Sequence, residues 1–221
     1  MSDVTTNAAD KKAASKAAGR STARKTGVNV RKMTMTAMLS AIAFVLMFLD
    51  FSVPFMPSFI KMDLSELPAL IGSFALGPVS GVMICLIKNL LHLFVGNTGG
   101  VGKLSNFILG ACFVLPAGLI YKKCKGKKAA ALGALLGAFL MAAVSIVSNY
   151  FIVYPVYYAL FIPEEAVLGM YQAIYHGVDS ILECLVLFNM PFTFMKGLFS
   201  VVITLLIYKP LSPIIKGAQE S

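Results

Sequence analysis

The chain has 221 residues, 58% hydrophobic and 13% charged, with a mean hydropathy of +0.81. Ordinary soluble domains carry about 25% charged residues, so the composition excludes a water-soluble fold and points to one integral membrane bundle. The net charge of +9 is no mark of a nucleic-acid binder, because residues 1–32 hold eight Lys or Arg against Asp3 and Asp10.

Residues 1–31 are rich in Ala, Lys, Ser and Thr and almost free of large apolar side chains. They read as a disordered, basic cytoplasmic extension that meets anionic headgroups or sets topology. No apolar stretch with an A-x-A site follows closely, which argues against a cleavable signal peptide. Residues 32–209 then read as a six-helix membrane domain, and residues 210–221 as a cytoplasmic tail.

The first span is expected at Met33–Leu49. Ala37 and Ala41 lie one turn apart on it, and such small residues let a second helix approach closely. Spacing alone favours packing within the chain. Asp50–Ser65 (DFSVPFMPSFIKMDLS) breaks the apolar run with Pro54, Pro57, Lys61 and Asp63. A loop of that kind folds back on the bundle mouth as a lid. Asp63, Ser65 and Glu66 offer acceptors around the start of a second span, Glu66–Phe74.

Gly77-Pro78 separates this segment from a third span, Val79–Val95, which carries Lys88, Asn89 and His92. His92 reads as a packing histidine rather than a metal ligand. Lys88 calls for an acidic partner or a route to the interface. The segment GNTGGVGKLS at 96–105 fails the Walker A pattern at both ends and reads as a glycine-rich turn.

The fourth span is expected at Asn106–Tyr121, followed by KKCKGKK, and the fifth at Ala129–Tyr154. Ser145, Ser148 and Asn149 share one face of the fifth. Pro155–Glu183 reads as a partly helical connection. Its His176, Asp179 and Glu183 have a spacing open to a metal or proton site, but a solvated helix face is preferred.

The sixth span, Leu185–Tyr208, carries one charge, Lys196. Charge at bilayer depth costs at least ~2.5–3.5 kcal/mol. Asn189, Thr193, Lys196 and Ser200 fall on one narrow face. That stripe belongs against a bundle or cavity, as ligand site or as helix glue, because lipid would leave its donors unpaired. The ligand reading is preferred on account of Lys196. The four cysteines show neither CxxC nor Cys/His spacing and read as small buried residues, with no metal site.

With six spans and the N-terminus inside, fifteen basic residues lie on the inner side, while Lys61 and Lys103 lie outside with Asp50, Asp63, Glu164, Glu165 and Asp179. That asymmetry places both ends in the cytoplasm. So small a bundle has no room for the inverted repeats of a self-sufficient carrier, and no ATPase, HExxH or GxSxG motif is present. A binding protein dependent on partner subunits is expected, not an enzyme.

Three stretches, PFMPSFIKMDLSELPALIG, GPVSGVMICLIKNLLHLF and LVLFNMPFTFMKG, resemble the substrate-binding S-components of energy-coupling-factor (ECF) transporters, within them the riboflavin-specific RibU type. The likeness extends from about Arg31 to Lys209. It implies a bacterial cell-membrane protein that binds riboflavin as its transported ligand, with no cofactor. It implies that two cytoplasmic ATP-binding cassette ATPase subunits supply energy through a shared transmembrane coupling subunit, and that the loaded protein topples to release its cargo. Ala37 and Ala41 would then meet the coupling subunit.

The same resemblance gives Asn149, Thr193 and Lys196 as polar contacts of the ligand, with Asn189 as a partial substitute where the type's PFNxxKG run reads PFTFMKG here. From the first loop it adds Lys61, Met62, Asp63 and Leu64, with Phe55, Phe59 and Tyr150 as further walls. An S-component for another vitamin or flavin relative is the alternative. So, from another class, is a small polytopic membrane enzyme using Lys196 or His92.

Overall fold

Apolar side chains cover the outside of this molecule as well as its inside. Phe94 is 80% exposed, Leu206 74% and Leu132 66%, an arrangement that suits lipid and not water. In the computed structural model, residues 30–53, 56–57, 60–95, 100–161 and 163–219 are described, without the side chains of 208–219. The chain divides into two compact units, 1–35 and 36–221. Of the first, the described part is residues 30–35, the opening turns of α1 (Val30–Leu46). The expected basic extension otherwise lies outside the described residues.

After α1 come a short antiparallel ribbon of β1 (Phe51–Ser52) and β2 (Lys61–Met62), then α2 (Glu66–Leu76), α3 (Pro78–Val95) and α4 (Val101–Lys123). Next, α5 (Lys127–Ser148) runs through a π-helical turn, Asn149–Val153, into α6 (Tyr154–Leu160). The short α7 (Glu164–Gln172) and α8 (Ile181–Cys184) follow, and a second π-helical turn, Leu185–Asn189, opens into α9 (Met190–Gln219). Among the described residues four helices are long and apolar enough to cross a membrane: Pro78–Val95, Val101–Lys123, Lys127–Leu160 and Ile181–Ile207. The α1 and α2 segments are shorter, at 17 and 11 residues.

Small residues set how closely these helices pack. A Cβ on Gly133 would lie 2.9 Å from the Ala117 carbonyl oxygen, so α5 and α4 meet backbone to backbone. A Cβ on Gly197 would lie 2.8 Å from that of Ala138, which brings α9 onto the same helix. Between α2 and α3 the chain turns at Gly77 with φ +99°, a conformation that favours glycine, and Pro78 opens α3 where its missing N–H costs nothing.

Several boundaries differ from the sequence expectation. Gly100, with a φ of +80°, precedes Val101, which begins α4 five residues early. The backbone of α9 stays helical to Gln219. Among the described residues the regular structure is helical except for the β1–β2 ribbon, a local hairpin in which Phe51 pairs with Met62 and Ser52 with Lys61. The connection after residue 154 is partly helical as expected, and it is packed: Tyr154, Val167, Tyr171, Val178, Ile181, Cys184 and Leu185 form one buried cluster, with Ile60 of the hairpin packed on it.

Candidate ligand-binding cavity

The hairpin, α3, α4, the π-turn after α5 and α9 surround a cavity of about 500 Å³. Asp63, Lys196, Thr193, Asn149 and Asn189 supply polar groups; Met47, Ile60, Leu109, Met141, Val153 and Phe192 supply apolar ones. Six of the expected ligand residues, Lys61, Asp63, Asn149, Asn189, Thr193 and Lys196, thus converge on one space. Met62, Leu64 and Tyr150 do not line it. Lys61 and Met62 are neighbours on β2, where successive side chains face opposite ways, so the strand that brings Lys61 to the cavity rim turns Met62 aside. Tyr150 is 43% exposed, with its ring edge-on to Phe151. Phe55 and Phe59 lie outside the described residues.

The polar stripe of the last helix is buried over its whole length: Asn189, Thr193, Lys196, Ser200 and Thr204 are each at most 7% exposed. Ser200 and Thr204 turn their hydroxyls back onto the carbonyls of Lys196 and Ser200, at 3.2 and 2.7 Å. They are helix-satisfied groups, whereas Thr193 and Lys196 face the cavity.

Lys196 Nζ donates to Asp63 Oδ2 at 2.8 Å. Asp63 Oδ1 accepts the backbone N–H of Ser65 at 2.8 Å and also the Ser65 hydroxyl. Burial works to raise the Asp63 pKa, but the Lys196 and Lys88 charges, with the hydrogen bonds from Lys196 and Ser65, hold the carboxyl well below the usual carboxylate range. Asp63 is therefore a fixed anion and Lys196 its counter-ion.

A second ion pair lies deeper. Lys88 Nζ donates to Glu66 Oε1 at 2.8 Å and to Ser65 Oγ at 2.7 Å, with both charged side chains fully buried. This supplies the acidic partner that Lys88 requires. On the exposed side Lys61 meets Asp50 at 3.0 Å and braces the hairpin.

Asn189 is committed more deeply than its spacing suggests. Tyr171 Oη donates to its Oδ1 at 2.9 Å and its Nδ2 donates to Tyr154 Oη at 3.2 Å, while the two phenols share a 2.7 Å hydrogen bond. His92 lines the cavity with its ring against Phe48, centroids 5.0 Å apart. No cluster of three metal-ligating side chains occurs among the described residues. Glu183 belongs to a cap instead: its N–H donates to Ser180 Oγ at 3.3 Å, and its carboxylate accepts the Asp179 N–H at 3.0 Å.

Gly102, Lys103 and Ser105, whose stretch reads as a mere turn in sequence, also line the cavity, as does Asn106 from the expected start of the fourth span. Both π-helical turns contribute as well, through Asn149, Val153 and Asn189. Such turns carry an extra residue and re-aim the side chains, and they recur at functional sites.

The model of the family "ECF transporter, substrate-specific component" matches residues 31–208, four-fifths of the chain and every cavity residue above. The chain belongs to this family. Among its relatives, riboflavin transporter RibU of Staphylococcus aureus (strain TCH60) is 33% identical over 194 residues, covering 87% of this chain and 97% of the relative. Riboflavin transporter FmnP of Bacillus subtilis (strain 168) is 34% identical over 198 residues, covering 88% and 98%. A solved structure described as the S component of a bacterial ECF transporter superposes with a TM-score of 0.66 at 33% identity, covering 84% of this chain and 98% of that one. The S-component is thus a multi-pass membrane protein of transport, not an enzyme.

Proposed function

We propose that this S-component binds riboflavin in the cavity and delivers it inward with an energy-coupling module. The observation that carries the reading is the make-up of the cavity wall. Lys196, Thr193 and Asn149 line one space with Phe192, Met141 and Leu109. A flat isoalloxazine with carbonyl and imide edges and a polyol tail calls for apolar walls with a few fixed donors and acceptors. Asn149 both donates and accepts, as the uracil-like edge requires, whereas the Lys196 ammonium donates only. Relatives named as riboflavin transporters over nearly their full length support the same ligand.

In this proposal α1 and α2 cross or enter the bilayer with the four longer helices, giving six passages and both termini in the cytoplasm. The lysine loop at 122–128 then faces inward and the hairpin outward. Ala37 and Ala41 are exposed on α1 while Ser40 and Ala43 turn inward, which suits close approach by the membrane subunit that couples two ATPase subunits to transport.

The test is an absorbance spectrum of the detergent-purified protein, with and without added riboflavin. Bound flavin gives a yellow preparation and quenched flavin fluorescence on titration. A colourless protein that leaves riboflavin fluorescence unchanged refutes the assignment.

A further inference from the structure

Glu66 and Lys88 do not line the cavity, yet both are fully buried and paired at 2.8 Å. A buried ion pair is a poor device for stability alone, since apolar residues of like volume often do as well or better. The fold nonetheless makes room for this one. A Cβ on Gly110 of α4 would come within 2.8 Å of Glu66 Oε2 and 3.0 Å of Cys85 Sγ, so glycine there is what admits the carboxylate.

The pair connects to the cavity through one hydroxyl. Lys88 has three N–H donors and no acceptor, so the Ser65 oxygen that it meets at 2.7 Å must accept. The Ser65 hydrogen is then left for an acceptor, and Asp63 Oδ1 is the one it meets. The other oxygen of Asp63 takes Lys196. Donation thus runs one way from Lys88 through Ser65 to Asp63, and bonds linked in such a chain polarise one another. We propose that Glu66 and Lys88 are positioning residues for the binding site: through Ser65 they fix the Asp63 carboxylate, and through Asp63 they hold both the hairpin and the Lys196 ammonium at the cavity wall.

Ser65→Ala is the discriminating change, because it cuts the connection while leaving each ion pair its partner. The affinity measurement rests on the riboflavin reading above. Titrated with riboflavin, Ser65→Ala binds about tenfold more weakly, the scale of one hydrogen bond to a charged group, and Ser65→Thr, which keeps the hydroxyl, recovers most of the loss. In a Lys196→Met background Ser65→Ala costs little more, since the residue through which it acts is gone. Lys88→Met joined to Glu66→Gln removes both charges at once, leaves no lone ion buried, and reproduces the Ser65→Ala loss.

A second measurement needs no ligand. A cysteine at Met62, in a Cys124→Ser protein, reacts with a maleimide several-fold faster once Ser65→Ala releases the hairpin. If the wild type ignores riboflavin but the labelling rate responds, the riboflavin reading fails and the positioning role stands. Unchanged labelling overturns the positioning role. So do equal Ser65→Ala losses with and without Lys196.

Discussion

Asp63 and Lys196, 133 positions apart in the chain, meet at 2.8 Å on the cavity wall and tie the first loop to the last helix. Removing Lys196 therefore does more than take a charge out of the membrane. Lys196→Met leaves Asp63 buried with Ser65 as its hydrogen-bond partner and only the more distant Lys88 charge to offset it, and breaking such a pair from one side costs about 3 kcal/mol. The expected result is a lower unfolding temperature in detergent and at least a tenfold loss of riboflavin affinity. Adding Asp63→Asn to Lys196→Met returns most of the stability but not the affinity. A double variant that binds as the wild type does places the ammonium outside the site.

The pair also fixes the response to acid. Folding lowers the Asp63 pKa, so its stabilisation is complete above the unfolded value of about 3.9 and is lost as the pH falls through the lower folded value. Riboflavin affinity and unfolding temperature are expected to show no step from Asp63 between about pH 5 and about pH 8. The stability difference between wild type and the Asp63→Asn, Lys196→Met protein should stay constant to the acid end of that range. A midpoint near pH 6 in that difference contradicts the assignment of a fixed anion.

What the sequence makes legible here is whatever depends on local period. The stripe Asn189–Thr193–Lys196–Ser200 can be read at helical spacing, and all four residues are buried as it requires. The turn at Gly77-Pro78 follows from an equally local rule, whereas the sequence offers Lys61, Met62, Asp63 and Leu64 alike and only the first and third line the cavity. The partner of Lys196 does not, because nothing in residues 185–208 refers to position 63. Glu66 and Lys88 lie 22 positions apart on separate helices, and although Lys88 calls for an acidic partner, nothing local to it names Glu66. The two π-helical turns shift the register by a residue, so a uniform helical spacing misplaces the faces beside them. Lys103 is hidden by a glycine-rich segment whose composition reads as turn, although Val101 already begins a helix.

A separate expectation concerns α1. Ala37 and Ala41 are exposed and make no part of the cavity. Replacing both with Leu should abolish riboflavin uptake by cells that carry the coupling module, while the purified solitary protein keeps its affinity within about twofold. Parallel loss of uptake and affinity would assign the two alanines to internal packing.

The proposed orientation can be read with thiols. Cys124 is exposed among the lysines of the 122–128 loop and is expected to be protected from an impermeant reagent in intact cells. A cysteine at the exposed Glu164, in a Cys124→Ser protein, should react at once. The reverse pattern would turn the protein over and close the cavity to external ligand.

Asn189 provides the sharpest separation of binding from architecture. Its amide accepts from Tyr171 and donates to Tyr154, and these two phenols lie in the buried cluster that packs the α6–α8 connection against the bundle. Truncation to Ala strands buried donors and acceptors on two tyrosines, at a cost of about 1–3 kcal/mol. The amide has one donor and part of its acceptor capacity left for the cavity, so its direct share in holding a ligand is smaller than that of Thr193 or Lys196. Asn189→Ala is therefore expected to lower the unfolding temperature by several degrees and to weaken riboflavin binding only a few-fold. Tyr171→Phe, which removes one hydroxyl from the same triangle without touching the cavity wall, should repeat much of the stability loss and leave affinity nearly unchanged. Should Asn189→Ala instead abolish binding while the unfolding temperature stays put, the amide serves the ligand directly and the tyrosine triangle is incidental to it.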